Sequence, residues 1–566
     1  MFTKLINLVD HKKNRKSFLL LFFGGWLIVN LIQSYFTGLS HDEAYYWMYS
    51  RNLDWGYFDH PPMIALLIKA GFRIFQNDLG VRLFTTILGT ITLLIIFNLI
   101  DLPNKSLWLY LALVCSIILM QSHVGGFLAI PDIPVVFFTA LFLFFYKRYL
   151  AQNKIWLAIF LALVGACMLY SKYHGILILL FTFFANIKIA RRASFWIIPV
   201  LIALLMLPHL MWQIKNNFPT LEYHLVTRSS GYQLSHTINF VYSQILIAGP
   251  LVALIVLYQA FAYSTASDFE RILKVNLVGI YLFFFLSSFK GHVEAHWTAI
   301  AFIPLVILSY KGIITSPTAF KWMNRLVLPS LLLFIFIRVS LVFELLPKTI
   351  QPVKEVFGWQ TWAHEIDSIA DGRQVVFVNS FQRPSKYTYY TKGKFATSLN
   401  NINYRKNQFD IWPFEDSVQH KRVLLVQSRT PDDTLYSIVG EVYPYEIIDE
   451  FVSYHDLEIS PSQKKISAAA EECVKLFISI ENTRPEEILF ARGDEIIASY
   501  FDGNGEIKSC SVFELEGMKI PSNISLKIPI YLEMPVENGA YNVYLSISTI
   551  NQFPALNSPI IHIRVK

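Results

Sequence analysis

Charge is what this chain has least of. Only 16% of its 566 residues are Asp, Glu, Lys or Arg, while 54% are hydrophobic, and a soluble domain usually carries about a quarter charged residues. An ordinary soluble fold is therefore excluded, and the composition is that of a membrane protein. Cysteine is almost missing too. Cys115, Cys167, Cys473 and Cys510 form no CxxC pair and no metal-ligand spacing. Cys473 and Cys510 would pair only if their domain lies in an oxidising compartment, and two unpaired thiols is the preferred reading. The chain has no P-loop, no GxGxxG after a strand, no GxSxG elbow and no HExxH, so neither a nucleotide-fed reaction nor a serine hydrolase has its residues, and no nucleotide cofactor is expected. The formal net charge of +7 would suit nucleic acid. However, many of the basic residues sit in short loops between apolar runs, where orientation in a membrane accounts for them, and no nucleic-acid partner is expected.

What is there begins with an anchor. Lys12, Lys13, Arg15 and Lys16 precede an apolar run at 18–36 with no small-residue cleavage site behind it, so the run is expected to span rather than be removed. Further runs at 83–100, 107–121, 135–146, 155–170, 176–187, 195–212, 238–262, 275–289, 297–310 and 326–343 bring the expectation to about eleven transmembrane helices. Those at 135–146 and 176–187 are short, and must be extended by flanking residues or be broken helices. With a cytoplasmic N-terminus, alternate loops gather Lys147, Arg148 and Lys154, then Lys188, Arg191 and Arg192, then Arg271 and Lys274, which is the basic side. The same assignment puts every loop with unusual chemistry on the outer face. Beyond residue 343 no run is long enough to span, and that region is expected outside. Strands at 374–378 (QVVFV) and 422–426 (RVLLV) suggest a small α/β unit. Strands at 475–480, 495–501, 525–532 and 541–547, punctuated by DGNG at 502–505 and NG at 538–539, suggest a β-sandwich. The expected domains are a membrane core at 1–345 with its first outer loop at 37–82, an α/β domain at 346–458 and a sandwich at 459–566.

The chemistry concentrates in residues 39–62 (LSHDEAYYWMYSRNLDWGYFDHPP), directly after the first span. This stretch holds the acidic pair Asp42 and Glu43, the acid-imidazole pair Asp59 and His60, and seven aromatic rings. Carboxylates placed where a span ends, among rings that favour the water-lipid boundary, point to chemistry at a membrane surface. Four other outer-face groups could contribute. Lys172, Tyr173 and His174 close the fifth span, with a snorkelling lysine as the plainer reading. Lys290, His292, Glu294 and His296 open the tenth, and imidazole with carboxylate at a spacing of two suits a divalent metal, although nothing nearby completes a coordination shell. In the stretch 121–132 (QSHVGGFLAIPD), His123 and Asp132 are available, but a Gly-Gly turn with an incidental histidine is the favoured reading. Arg228, with Glu222 and His224 in its loop, is suited to clamp a phosphate or simply to be solvated.

Together the acidic pair after the first span, GYFDHPP at 56–62, SKYH at 171–174 and GHVEAHW at 291–297 resemble the bacterial glycosyltransferases of the protein-mannosyltransferase and aminoarabinose-transferase type. The resemblance covers roughly residues 1–343. It implies a GT-C fold, a sugar donor carried on a polyprenyl phosphate, and an acidic residue of the first outer loop as catalytic centre, which falls on Asp42 with Glu43 beside it. It also implies donor-phosphate or substrate contacts for Asp59, His60, Lys172, Tyr173, His174, Arg228 and Lys290. The family's pair ahead of the double proline is usually Glu-Lys where this chain has Asp59 and His60. A metal, which some members of the family bind, would fall to Asp59, His296 and Glu294. The implied activity is an inverting transfer on the periplasmic face of the bacterial inner membrane to a glycolipid, glycan or protein acceptor. A lipid-linked sugar flippase, the main rival, calls for acids in mid-span and inverted repeats, whereas the span interiors are nearly free of acids and no repeat is seen. A polysaccharide ligase stands as the alternative within enzymes.

Overall fold

The helix Arg15–Phe36 is built inside out. Its buried positions include Asn30, Gln33 and Ser34, while Leu20 and Leu21 are 77% and 70% exposed. Polar groups turn inward to find partners and leucines turn outward, the arrangement hydrocarbon solvent imposes. Exposed apolar side chains recur on later helices, among them Leu254, Tyr258, Leu332 and Phe343. The protein is a multi-pass membrane protein. The structure, a computed structural model, describes residues 8–11, 15–103, 105–117, 123–223, 232–351, 353–482, 484–502, 505–549 and 552–566.

The chain divides into two compact units, Met1–Phe357 and Gly358–Lys566. Among the described residues of the first, six helical segments are long and apolar enough to cross a membrane: Arg15–Phe36, Asp78–Leu99, Asp132–Gln152, Ala193–Lys215, Ala295–Thr315 and Pro317–Phe343. Shorter apolar helices accompany them at Met63–Phe72, Leu107–Ser116, Ile155–Ser171, Gly175–Ala185 and Ala253–Ala262. Among the described residues, long and short apolar helices thus stand where about eleven spans, some of them short, were expected. The run at 135–146 belongs to the 21-residue helix Asp132–Gln152. The run at 176–187 instead gives the 11-residue Gly175–Ala185, which passes into the 3-10 turn Ile187–Arg191. The run at 238–262 breaks into Leu234–Ile247 and Ala253–Ala262. Gly249 sits at that break with φ of 106°, and a Cβ there would lie 2.3 Å from the Ser116 carbonyl oxygen, so glycine is required on both counts. Serine and asparagine side chains start several helices: Asn77, Ser106, Ser267 and Ser316 each accept a backbone N–H of the first turn.

In the second unit, Ala396–Leu399, Gln374–Val378 and Val423–Val426 form a parallel sheet, extended by antiparallel Val442–Ile448 and Asp433–Tyr436. The helices Trp359–Ala370 and Gln382–Tyr390 contribute Trp362, Ile366 and Tyr387 to a core shared with Val375, Phe377 and Leu424. The remainder is β. One sheet runs Gly505–Glu514, Glu495–Asp502, Gly539–Ser548, Ile561–Val565, Lys465–Ala468, and another Ser525–Glu533, Cys473–Glu481, Glu458–Pro461. Inward residues of both, such as Ile478, Ile530, Ala498 and Leu545, share one core, the layering of a sandwich. All four cysteines are free.

Candidate active site

The acidic pair is split by the helix that carries it. Ser40 caps His41–Arg51 through a reciprocal box: its Oγ accepts the Glu43 N–H at 3.3 Å, and Glu43 Oε2 accepts the Ser40 N–H at 2.9 Å. Neighbours on a helix point about 100° apart, so Asp42 faces outward and is exposed while Glu43 has no exposed surface. Arg82, equally buried, meets Glu43 side-on, Nε to Oε1 and Nη2 to Oε2, both at 2.6 Å. Its remaining hydrogens go to the carbonyls of Ser34, Thr37 and Gly38. Ala129 donates its N–H to Glu43 Oε1 at 2.7 Å. Burial opposes the charge on Glu43, yet the Arg82 guanidinium and these hydrogen bonds outweigh it and hold the carboxyl below its ordinary value. Glu43 leaves no surface for a substrate. The catalytic place expected beside Asp42 is corrected to that of a residue that positions the loop.

A second strand of the site comes from residues 123–132. Trp26 Nε1 and Asn30 Nδ2 both donate to the Gly125 carbonyl, at 2.7 and 3.0 Å, and Ala129 is tied to Glu43 as above. The segment delivers Asp132 to the start of Asp132–Gln152. Lys172, just past the end of Ile155–Ser171, donates to both Asp132 oxygens at 2.9 and 3.0 Å, with both side chains nearly inaccessible. His296 Nε2 lies 4.0 Å from Asp132 Oδ2. The His123 ring stacks on His296 with centroids 4.7 Å apart. His123 is therefore no incidental turn residue, contrary to the sequence reading. His60 is within electrostatic range of His296 and packs edge-on against Tyr46 at 5.6 Å. Tyr46 is the hinge of the arrangement: burial first, then the negative charges of Asp42, Asp59 and Asp132, push its hydroxyl well above the ordinary phenol range. One buried ring thus feels the acids of both parts of the site. Asp59 accepts the Tyr49 hydroxyl at 3.4 Å.

The other expected residues go elsewhere. The Tyr173 hydroxyl lies 2.9 Å from His209 Nε2 and accepts Gln213 Nε2 at 2.8 Å. His209 Nδ1 lies 2.7 Å from the Trp55 carbonyl, which can only accept, so Nδ1 carries the proton and Nε2 receives that of Tyr173. Trp212 Nε1 donates to Asp54 Oδ2 at 2.8 Å. Tyr173 hence belongs to a brace behind residues 54–58 rather than to a substrate surface. Gly56 makes the fit possible, since a Cβ there would lie 2.5 Å from Trp212 Cε3. His174 packs against Phe284 and Trp297, each 5.1 Å away by centroid. Lys290 is exposed in the turn ahead of the Ala295–Ala301 3-10 helix. Arg228 and His224 lie outside the described residues. Glu294 pairs with His292 at 3.5 Å. Among the described residues no three His, Cys, Asp or Glu side chains are gathered as a metal would need, so Asp59, Glu294 and His296 do not form the expected ligand set. His209, Trp212 and Arg82 were missed in the sequence, and only Glu43 had a local signal, the Ser-x-x-Glu box.

A family model described as dolichyl-phosphate-mannose-protein mannosyltransferase matches residues 59–212, the span that contains Asp59, His60, His123, Asp132, Lys172 and His209. That part of the chain is thus similar to the protein-mannosyltransferase family, and the fold above is the second point of comparison. Among particular proteins, the chain is similar to ArnT from Cupriavidus metallidurans in its apo state, with a TM-score of 0.56 at 14% identity, over 76% of this chain and 98% of that one. The same protein bound to undecaprenyl phosphate matches with a TM-score of 0.55 at 12% identity and the same coverage. These likenesses are of fold. In sequence, the chain is 23% identical over 283 residues to the lipid A galacturonosyltransferase RgtD of Rhizobium johnstonii, a match spanning 47% of this chain and 59% of that protein's length.

Proposed function

We propose that the protein is an integral membrane glycosyltransferase that moves a sugar from a polyprenyl-phosphate donor to a glycolipid on the periplasmic face of the inner membrane, with its N-terminus cytoplasmic. The observation that carries this reading is the division of labour in the site. An exposed carboxylate, Asp42, stands on a helix fixed by its buried neighbour Glu43, and the Ala129 N–H on Glu43 ties that helix to the segment that carries Asp132 with Lys172, His296 and His123. In this reading Asp42 takes the proton of the acceptor hydroxyl as that oxygen attacks the anomeric carbon. The bond to the phosphate oxygen breaks on the opposite face, and one displacement inverts the centre. Charge grows on the departing polyprenyl phosphate, where the N–H groups of His60, His123 and His296 and the Lys172 ammonium stabilise it. The ArnT complex with undecaprenyl phosphate supports the donor class, RgtD supports a glycolipid acceptor, and the bias of Lys and Arg among the loops supports the orientation.

The test is release of free polyprenyl phosphate by purified protein in nanodiscs, given a panel of polyprenyl-phosphate sugars. Wild type should release it with at least one donor, and a folded Asp42→Asn should not. Unchanged release in Asp42→Asn would remove Asp42 as the base. Binding of the lipid without release from any donor would replace the transferase by the flippase.

A further inference from the structure

The second unit contains a cleft of about 290 Å³, near the lower end of the size range of ligand sites. One wall is residues 398–400, at the carboxyl end of the parallel strand Ala396–Leu399, where open α/β sheets commonly bind ligands. Another is the 3-10 turn Gln408–Asp410 with the following Trp412. The third brings His455, Asp456 and Arg484 from the β region. Trp412 is held half-exposed by stacking on Phe414 at 4.9 Å and by edge contact with Phe409 at 5.3 Å. Arg484 is largely engaged within the wall: its Nε and Nη2 both bind Asp456, at 2.7 and 2.5 Å, and Nη2 also donates to the Ser453 carbonyl and lies 3.9 Å from Glu415 Oε1. Glu415, whose side chain is only 14% exposed, takes the Ser453 hydroxyl and the His455 N–H on Oε1. Its Oε2 receives no hydrogen bond within the described protein. His455 Nδ1 is buried and without a hydrogen bond, 3.9 Å from that same Oε1. Asp416 adds an exposed carboxylate and Lys406 a cation, while Asp410 Oδ2 is taken by Asn400 Nδ2 and the Asn407 N–H, at 2.7 and 2.6 Å. With Arg484 and Asp456 satisfying each other, the cleft offers an aromatic face, an unused imidazole nitrogen and an excess of carboxylate.

We propose that this cleft is a saccharide site for an amino-bearing sugar, with Trp412 under the ring's C–H face and Glu415, Asp416 and His455 bonding its hydroxyls and ammonium. A phosphate or uronate would meet the surplus carboxylates and be repelled. A purely apolar ligand would leave Glu415 Oε2 and His455 Nδ1 unsatisfied. The proposal stands independently of the transferase reading, because binding is measured with no donor present. Full-length protein in nanodiscs is titrated by calorimetry at pH 7 with three trimers: β-1,4-glucosamine, maltotriose and trigalacturonate. Saturable binding of the glucosamine trimer, roughly tenfold or more tighter than the other two, is expected, the factor of one charge-assisted hydrogen bond. Trp412→Ala and Asp416→Asn should each weaken it by a similar factor. Asp416 is exposed, so its variant decides the matter if Trp412→Ala fails to fold. No saturable binding of the glucosamine trimer, equal or tighter binding of either other trimer, or wild-type affinity in Asp416→Asn overturns the proposal.

Discussion

Arg82→Leu should damage the protein in a way that Asp42→Asn does not. The guanidinium makes five hydrogen bonds, two to Glu43 and three to the carbonyls of Ser34, Thr37 and Gly38. Removing it leaves the Glu43 carboxylate with no exposed surface and only the Ser40 and Ala129 N–H groups as partners. Breaking one side of a buried pair costs about 3–5 kcal/mol, a large part of the roughly 5–15 kcal/mol that holds a domain together. At about 2 °C per kcal/mol for a unit this large, the apparent melting temperature should fall by about 6–10 °C. Adding Glu43→Gln should recover part of the loss by removing the stranded charge, the unpaired carbonyls accounting for the rest. Asp42→Asn changes an exposed group and should stay within about 0.5 kcal/mol of wild type. The assay is thermal unfolding in one detergent, with release of polyprenyl phosphate measured on the same preparations. If Arg82→Leu melts with wild type, or if Asp42→Asn loses as much stability, the division of the acidic pair into an exposed base and a buried brace is wrong.

Lys172→Met should cost about 3–5 kcal/mol by stranding Asp132, and the double variant with Asp132→Asn should regain stability without regaining release. Return of release in the double variant would remove Lys172 from phosphate stabilisation. Gly56→Ala forces a Cβ to 2.5 Å from Trp212, so the 54–58 loop must shift. A stability loss of about 1–3 kcal/mol should come with a fall in release of roughly tenfold or more from displaced Asp59 and His60, and normal kinetics would show that the brace does not position them. The second unit should show opposing pH slopes. Burial, reinforced by Asp456, raises Glu415 from 4.5 to about 7, so its folded form binds the extra proton and stability drains away as pH climbs from 4.5 to about 7. Burial lowers His455 from 6.5 to about 4, so stability is lost as pH falls from 6.5 to about 4. Where the windows overlap the two oppose. Relative to wild type, Glu415→Gln should therefore gain stability as pH climbs from 4.5 to about 7, and His455→Gln should lose stability relative to wild type as pH climbs from 4 to 6.5, read by hydrogen exchange of peptides from Gly358–Lys566. Parallel profiles in both variants would refute the assignment.

What the sequence could and could not convey follows from the range of the interactions involved. Asp42 and Glu43 stand out because two acids after a span are expensive and local, and the Ser40-x-x-Glu43 spacing already marks Glu43 as a cap whose side chain turns back on the chain. Strands such as Gln374–Val378 and Cys473–Glu481 were legible for the same reason, since alternation and continuous apolar runs are written along a few residues. Arg82 could not be singled out. Thirty-nine residues separate it from Glu43, and by itself it is one more basic residue near a helix start. The uneven lengths of the apolar helices have a related cause. Hydropathy measures how apolar a run is, whereas the break in 238–262 is set by Gly249 meeting the Ser116 backbone, and the shortness of Leu107–Ser116 and Gly175–Ala185 is tolerable only where irregular backbone is buried in protein. Partial helices leave ends inside the bundle, and at such ends polar side chains can be presented at depth. Lys172 is such a case, placed where Ile155–Ser171 stops and ahead of Gly175–Ala185. A straight span would have carried it on as a lipid-facing or snorkelling lysine. The break between these two helices, already marked by the separate apolar runs at 155–170 and 176–187, is thus the feature that lets Lys172 reach Asp132 and complete the site.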